Sequence, residues 1–322
     1  MGWLQMVEGL AEGRNLSEQE AELLFSAVFD GGMPELEMGA LLALLERHPV
    51  SHGELRGGWS ALASRVCQAP VPQLHWRPVL MPAYPAARTC LHLAPLLALS
   101  LQRLGIPVLV HGALSGEGGV SAAYLLRELG VMPTASLMQA QQMLAAGKTA
   151  FVPTGALSPA LAHLLALRVR IGGGALARLL ARLADPFGGG ALQLLPVSDA
   201  DEGGRVQELL LENGATALVF DSATADAAVD PERRPVMTLL REGRVQTLFE
   251  GEAHARCAHP LPAAQDLKGT ARWILGVLEG RIPMPAPIVN QIACCLYGSG
   301  YAQDLNQAKA IAAVETGSLA AA

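Results

Sequence analysis

Lysine is scarce in this chain: Lys148, Lys268 and Lys309 are the only three among 23 cationic residues, and the rest are arginines. Charged residues of all kinds make up 16% and the formal net charge is −6, so the overall field does not draw the chain onto nucleic acid. Any polyanion contact has to come from a local arginine patch. Aromatic residues are also few, at 4%. The five cysteines, Cys67, Cys90, Cys257, Cys294 and Cys295, are odd in number and contain no Cys-x-x-Cys pair, which argues against a disulfide framework or a thiolate metal site. They read as buried free thiols. Long apolar runs are missing too. The stretch from Leu91 to Leu101 is broken by His92, Pro95 and Ser100 and is too short to span a bilayer. The opening Met1-Gly2-Trp3-Leu4-Gln5-Met6-Val7-Glu8 has no basic or apolar targeting region, so the expectation is a cytoplasmic protein without a membrane anchor.

What is present is a chain of 322 residues, 51% hydrophobic, long enough for a large domain and a small one. Ser17-Glu18-Gln19-Glu20 has the form of a capping box, and a helix to Phe29 follows. Asp30-Gly31-Gly32-Met33-Pro34 ends it, and Glu35 to Arg47 and Ser51 to Cys67 continue the amphipathic pattern. The proline-rich linker Ala69-Pro70-Val71-Pro72-Gln73 then predicts a boundary. The expected domains are a helical unit over 1–72 and an α/β domain over 73–322.

Beyond the linker the chain alternates apolar strands and helices. A strand within Arg77 to Met81, a helix to Leu104 and a strand ending in His111-Gly112 make a βαβ unit. Helices over Ser121 to Leu129 and Ser136 to Ala146 follow, then a strand near Thr149 to Val152. Leu192 to Val197 and Thr216 to Asp221 read as strands around a helix over Gly203 to Asn213. The tail reads as helical over Lys268 to Arg281, Ile288 to Tyr297 and Asn306 to Val314. This predicts an α/β fold with a mostly parallel sheet covered by helices. Ligands of such sheets sit beyond the carboxyl ends of the strands, which directs attention to the loops Pro82 to Arg88 and His111 to Gly119.

The order of these pieces resembles the anthranilate phosphoribosyltransferases, which share their fold with the pyrimidine nucleoside phosphorylases. The resemblance covers almost the whole chain. It runs from the helical opening through Glu54-Leu55-Arg56-Gly57, His111-Gly112, Leu129-Gly130-Val131, Ser158-Pro159-Ala160-Leu161-Ala162-His163 and Asp185-Pro186 to Gln193-Leu194-Leu195. It implies a helical dimerisation unit and a homodimer. The motifs that bind donor depart from it. The family's Gly-Thr-Gly-Gly-Asp-Gly diphosphate nest falls on Pro82-Ala83-Tyr84-Pro85-Ala86-Ala87, where prolines remove amide donors and Cβ atoms block close approach. Its Asn-Ile-Ser-Thr run falls on His92-Leu93-Ala94-Pro95, and its Lys-His-Gly-Asn element on Val110-His111-Gly112-Ala113. Its magnesium-binding Asp-Glu pair falls near Ala225-Asp226, with Asp221 and Asp230 close in sequence. No cofactor or metal is therefore expected, with magnesium needed only if transferase activity is retained.

These departures are similar to those of the YbiB-like branch, which is associated with nucleic-acid binding rather than tryptophan synthesis. Arg168, Arg170, Arg178 and Arg182 crowd into fifteen residues, the family's substrate-carboxylate arginine falling at Arg168. Guanidinium forks suit a nucleic-acid backbone or a small anion equally, though solvated faces pairing with Asp185 would give the same pattern. Gly172-Gly173-Gly174 reads as an anion nest or a flexible turn. His111 is either a ligand contact or a structural histidine, Arg88 could replace lost dipoles by charge, and Tyr84 either stacks on a base or packs. The leading expectation is a nucleic-acid-binding scaffold with a degenerate donor site. The alternatives are an active glycosyl or phosphoribosyl transferase and a small-anion sensor.

Overall fold

The computed structural model describes the chain apart from residues 1, 85–90, 115–119, 172–173, 256, 258 and 318–322; for residues 168–171 it describes the backbone alone. The chain opens with α1 (Trp3–Ala11), α2 (Glu18–Phe29), α3 (Glu35–Leu45) and α4 (His52–Ala63). Both expected serine starts are present. Ser17 and Ser51 accept from the amides of Glu20 and Glu54, and each glutamate returns a carboxylate to its serine amide. Glu54 does more than cap: its second oxygen accepts the Leu16 amide at 3.0 Å, tying the entry of α2 to the start of α4. The two helices lie close because α4 presents Gly57. A Cβ there would meet the Glu18 carbonyl oxygen at 2.2 Å and the Glu22 nitrogen at 2.6 Å.

The sheet begins with β1 (Val79–Ala83), α5 (Ala94–Arg103), β2 (Val108–Gly112), α6 (Ala122–Glu128), α7 (Leu137–Ala145) and β3 (Ala150–Pro153). Three helices interrupt it: α8 (Thr154–Leu157), α9 (Pro159–Ile171) and α10 (Ala175–Arg182). The chain then returns with β4 (Leu192–Val197), α11 (Ala200–Glu212) and β5 (Thr216–Asp221). The hairpin β6 (Met237–Arg241) and β7 (Arg244–Phe249) turns on Glu242 and Gly243, both at positive φ, as a tight two-residue hairpin demands. Helices α12 (Leu267–Leu278), α13 (Ala286–Gly298) and α14 (Leu305–Glu315) complete the chain.

Two compact units result. One comprises residues 1–68 with 154–186; the other comprises 69–153 with 187–322. The helical unit is thus discontinuous, where the linear reading placed everything after residue 72 in the second domain. The physical reason is that α9 packs on α2, α3 and α10, and α10 on α4, so the inserted helices share the core of the first four.

The α/β unit is a seven-stranded sheet in the order β3-β2-β1-β4-β5-β6-β7, parallel through β5 and antiparallel at β6 and β7. Its buried core joins Val79, Met81, Val108, Val110, Leu192 and Leu194 to α5, α12, α13 and α14. The direction of winding reverses between β1 and β4, which makes that junction the topological switch point. There β1 pairs with β4 only through Val79 and Leu80, while its pairing with β2 runs on to Ala83. The carboxyl ends of β1 and β4 therefore part. Pro82 sits in this stretch, where its missing amide costs no ladder bond to β4. Among the described residues, no helix is long and apolar enough to cross a membrane.

Candidate functional site

Near the β1/β4 junction the described residues include the ends of β1 and β2 and the turn after β5, whose Asp226 accepts the Leu93 amide. Pro82 and Ala83, expected in a loop, are strand residues paired with His111 and Gly112. A Cβ on Gly112 would meet the Ala83 carbonyl oxygen at 2.5 Å, so glycine permits this close pairing. Pro85, Ala86, Ala87 and Arg88 lie outside the described residues.

His111 is fully buried at the end of β2. Its Nδ1 lies 3.2 Å from the hydroxyl of Tyr84, whose ring meets the imidazole edge-on with centroids 5.4 Å apart. Among the described residues its Nε2 is buried without a hydrogen-bond partner. Burial pushes the imidazole down to about 3, so it is neutral at physiological pH and gives no positive charge to an anion. The alternative of a histidine bonded to the loop backbone is replaced by a bond to a side chain. Tyr84 is buried as well, which leaves no open ring face for a base and decides for packing.

His92, where a hydroxyl-bearing run was lost, is buried and carries its Nδ1 to 3.3 Å from Oδ2 of Asp226. The same Oδ2 accepts the Leu93 amide at 3.1 Å, and Oδ1 accepts the Ala228 amide at 3.0 Å. Gln291 of α13 holds the loop from beneath, accepting the Val229 amide and donating to the Ala227 carbonyl. Ala225 adopts the left-handed region at φ 52°, a conformation that this surrounding network maintains. The carboxylates nearby are engaged elsewhere: Asp221 pairs with Arg233 at 2.6 Å, and Asp230 accepts the Glu232 amide. No cluster of three or more metal-ligating side chains forms among the described residues. The His92–Asp226 contact was not anticipated from sequence. Its partners are 134 positions apart, and only the coincidence of two altered motifs could have hinted at it.

The arginine cluster divides. Arg182 is only 5% exposed, so its guanidinium is withdrawn from the surface that a polyanion would touch. The cause is the fold: α10 is amphipathic and Arg182 falls among Leu179, Leu180 and Leu183 on its buried side. Arg178, also on α10, is partly buried. The side chains of Arg168 and Arg170 lie outside the described residues, their backbone being in α9. The start of α10, which follows the stretch read as an anion nest or a flexible turn, already holds an anion of the chain itself. Glu46 receives the Ala175 amide on both oxygens, at 2.9 and 3.1 Å. Of the cysteines described, Cys294 and Cys295 are buried, and burial raises both thiols; Cys67 is exposed and Cys257 intermediate, contrary to the expectation of burial throughout.

Residues 4–66 match the helical bundle domain of the glycosyl transferase family. Over 311 residues the chain is 32% identical to the uncharacterized protein YbiB of Escherichia coli, covering 95% of this chain and 97% of that one. It is 28% identical to the anthranilate phosphoribosyltransferase of Prochlorococcus marinus, covering 94% and 88%. Among solved structures, the anthranilate phosphoribosyltransferase of Thermus thermophilus superposes with a TM-score of 0.77 at 22% identity, over 97% of this chain and 94% of that one. The Saccharomyces cerevisiae enzyme, solved with PRPP and Mg, superposes with a TM-score of 0.73 at 14% identity, over 98% and 93%.

Proposed function

The chain belongs to the anthranilate phosphoribosyltransferase-like family, in its YbiB-like branch, and we propose that it keeps the scaffold without the donor chemistry and binds nucleic acid as a polyanion. The observation that supports the first half is the engagement of Asp226. A transferase of this kind works by positioning and by stabilising charge on the leaving diphosphate, which needs donors and a metal preorganised where that charge develops. Here the strand-end histidine is neutral, and the aspartate is enclosed by amides and an imidazole. These residues do not fit magnesium and diphosphate.

The second half rests on arginine density: Arg168, Arg170 and Arg178 stand within eleven residues of an otherwise acidic chain. A homodimer would double a modest patch, and the apolar α3, with Leu36 84% exposed, suits self-association. The test is anisotropy of labelled single-stranded and duplex oligonucleotides at two salt concentrations. Log affinity should fall with log salt, the slope reflecting the number of phosphates neutralised. Arg178→Ala and the pair Arg168→Ala/Arg170→Ala should weaken binding to all sequences alike and reduce that slope by about 1 per arginine. Absent binding, or affinity flat in salt, would end this half of the proposal.

A second reading, transfer from an altered donor, draws on the similarity of nearly the whole chain to transferases and on the unpartnered Nε2 of His111. Turnover of anthranilate with PRPP and magnesium would establish it. Stabilisation by nucleotides or phosphosugars, without oligonucleotide binding, would point instead to a small-anion sensor.

A further inference from the structure

Asp226 stands where the family resemblance places a magnesium carboxylate, and among the described residues the polar groups set against that carboxylate are nitrogens. An ionised carboxylate offers about four acceptor positions. Oδ1 takes the Ala228 amide, and Oδ2 takes the Leu93 amide with His92 Nδ1 beside it. Magnesium requires oxygens at roughly 2.0–2.1 Å in a near-octahedral shell and sheds water reluctantly. On Oδ2 it would have to displace or crowd the Leu93 amide and the His92 nitrogen, which lie 3.1 and 3.3 Å from that oxygen. The residue before Asp226 is Ala225, so no adjacent carboxylate completes a pair.

We propose that His92 takes the place of the metal at Asp226. The imidazole links the segment entering α5, which follows β1, to the loop that follows β5, two strands away in the sheet order. The two segments are thus joined by a direct side-chain contact that involves no ion. Leu93 is the N-cap residue of α5, so its amide bond to Asp226 anchors that helix start on the same carboxylate. Gln291 and the left-handed turn at Ala225 hold the loop in the position this requires. The two altered motifs then meet in one contact: the imidazole nitrogen stands at the carboxylate oxygen that an ion would need. His92 is a positioning residue in this account, with no chemical step assigned to it.

The proposal rests on the donor-loss half of the reading above and is independent of the oligonucleotide half. Manganese serves as a paramagnetic stand-in for magnesium, titrated into the full chain and followed by the free-ion EPR signal. The wild-type protein should leave that signal equal to buffer, and millimolar magnesium should not move its melting temperature. His92→Ala and Asp226→Asn should each lower the melting temperature. In the cycle of single and double variants their effects on the unfolding equilibrium constant should be coupled by about 5-fold or more, as expected for groups in direct contact. Should His92→Ala fail to fold, His92→Asn, which keeps a short amide donor, carries the same cycle. Additive effects would overturn the proposal. So would manganese uptake by the wild-type chain that Asp226→Asn abolishes, whatever the oligonucleotides do.

Discussion

The neutral imidazole of His111 makes a prediction that can be worked through to a slope. In the unfolded chain this histidine titrates near 6.5, and in the folded chain burial holds it down to about 3. Between those values the unfolded state binds the proton and the folded state does not, so stability rises with pH and is lost as pH falls from about 6.5 towards about 3. One proton difference gives a slope of up to about 1.4 kcal/mol per pH unit, and the whole interval amounts to roughly 5 kcal/mol as an upper figure. The perturbation is His111→Asn, which keeps a polar atom near the Tyr84 hydroxyl and removes the titration. Denaturant unfolding of both proteins from pH 7 to pH 4 gives the difference in stability at each pH. Against the variant, the wild type should lose ground as pH falls. Parallel curves, or an imidazole carbon resonance of the native protein titrating near 6.5, would refute the reasoning. The functional consequence is direct: a histidine that stays neutral cannot supply the charge for an anion at the strand ends.

Three further outcomes follow from the packing and charge. Gly112→Ala places a methyl within 2.5 Å of the Ala83 carbonyl oxygen, and overpacking of this kind should cost about 1–3 kcal/mol, read as a lower denaturant midpoint. Glu20 is held at about 2, chiefly by its bond to Arg14, so its contribution is present above pH 4.5 and lost as pH falls towards 2. The gap in melting temperature between wild type and Arg14→Ala should therefore close over that range, and a gap independent of pH would contradict this assignment. If the proposed homodimer forms through α3, Leu36→Glu should lower the sedimenting mass with the melting temperature little changed; an unchanged mass would refute α3 as the contact.

Elements whose signals are local were legible before the structure. The Ser17–Glu20 capping box marked the start of α2, and the strands Leu192–Val197 and Thr216–Asp221 were read to the residue. The hairpin of β6 and β7 was missed because its turn is Glu-Gly, in which glutamate takes a positive φ without the usual asparagine or aspartate cue. Pro82 suggested a loop because proline usually avoids central strands. It is tolerated where β1 has already separated from β4, a fact of topology that the sequence does not print. The discontinuous helical unit and the withdrawal of Arg182 have the same origin. Both depend on which faces of α9 and α10 meet helices more than a hundred residues earlier. Pro82 and Pro85 drew attention to the loop after β1, most of which lies outside the described residues, but the pairing of His92 with Asp226 and the capture of the α10 start by Glu46 needed the fold.

The account turns on whether the donor crevice still accepts its donor. Isothermal titration of the purified chain with PRPP in the presence of magnesium measures this directly. Heats indistinguishable from dilution are the predicted result. A saturable isotherm that disappears when magnesium is chelated, and again in Asp226→Asn, would contradict it.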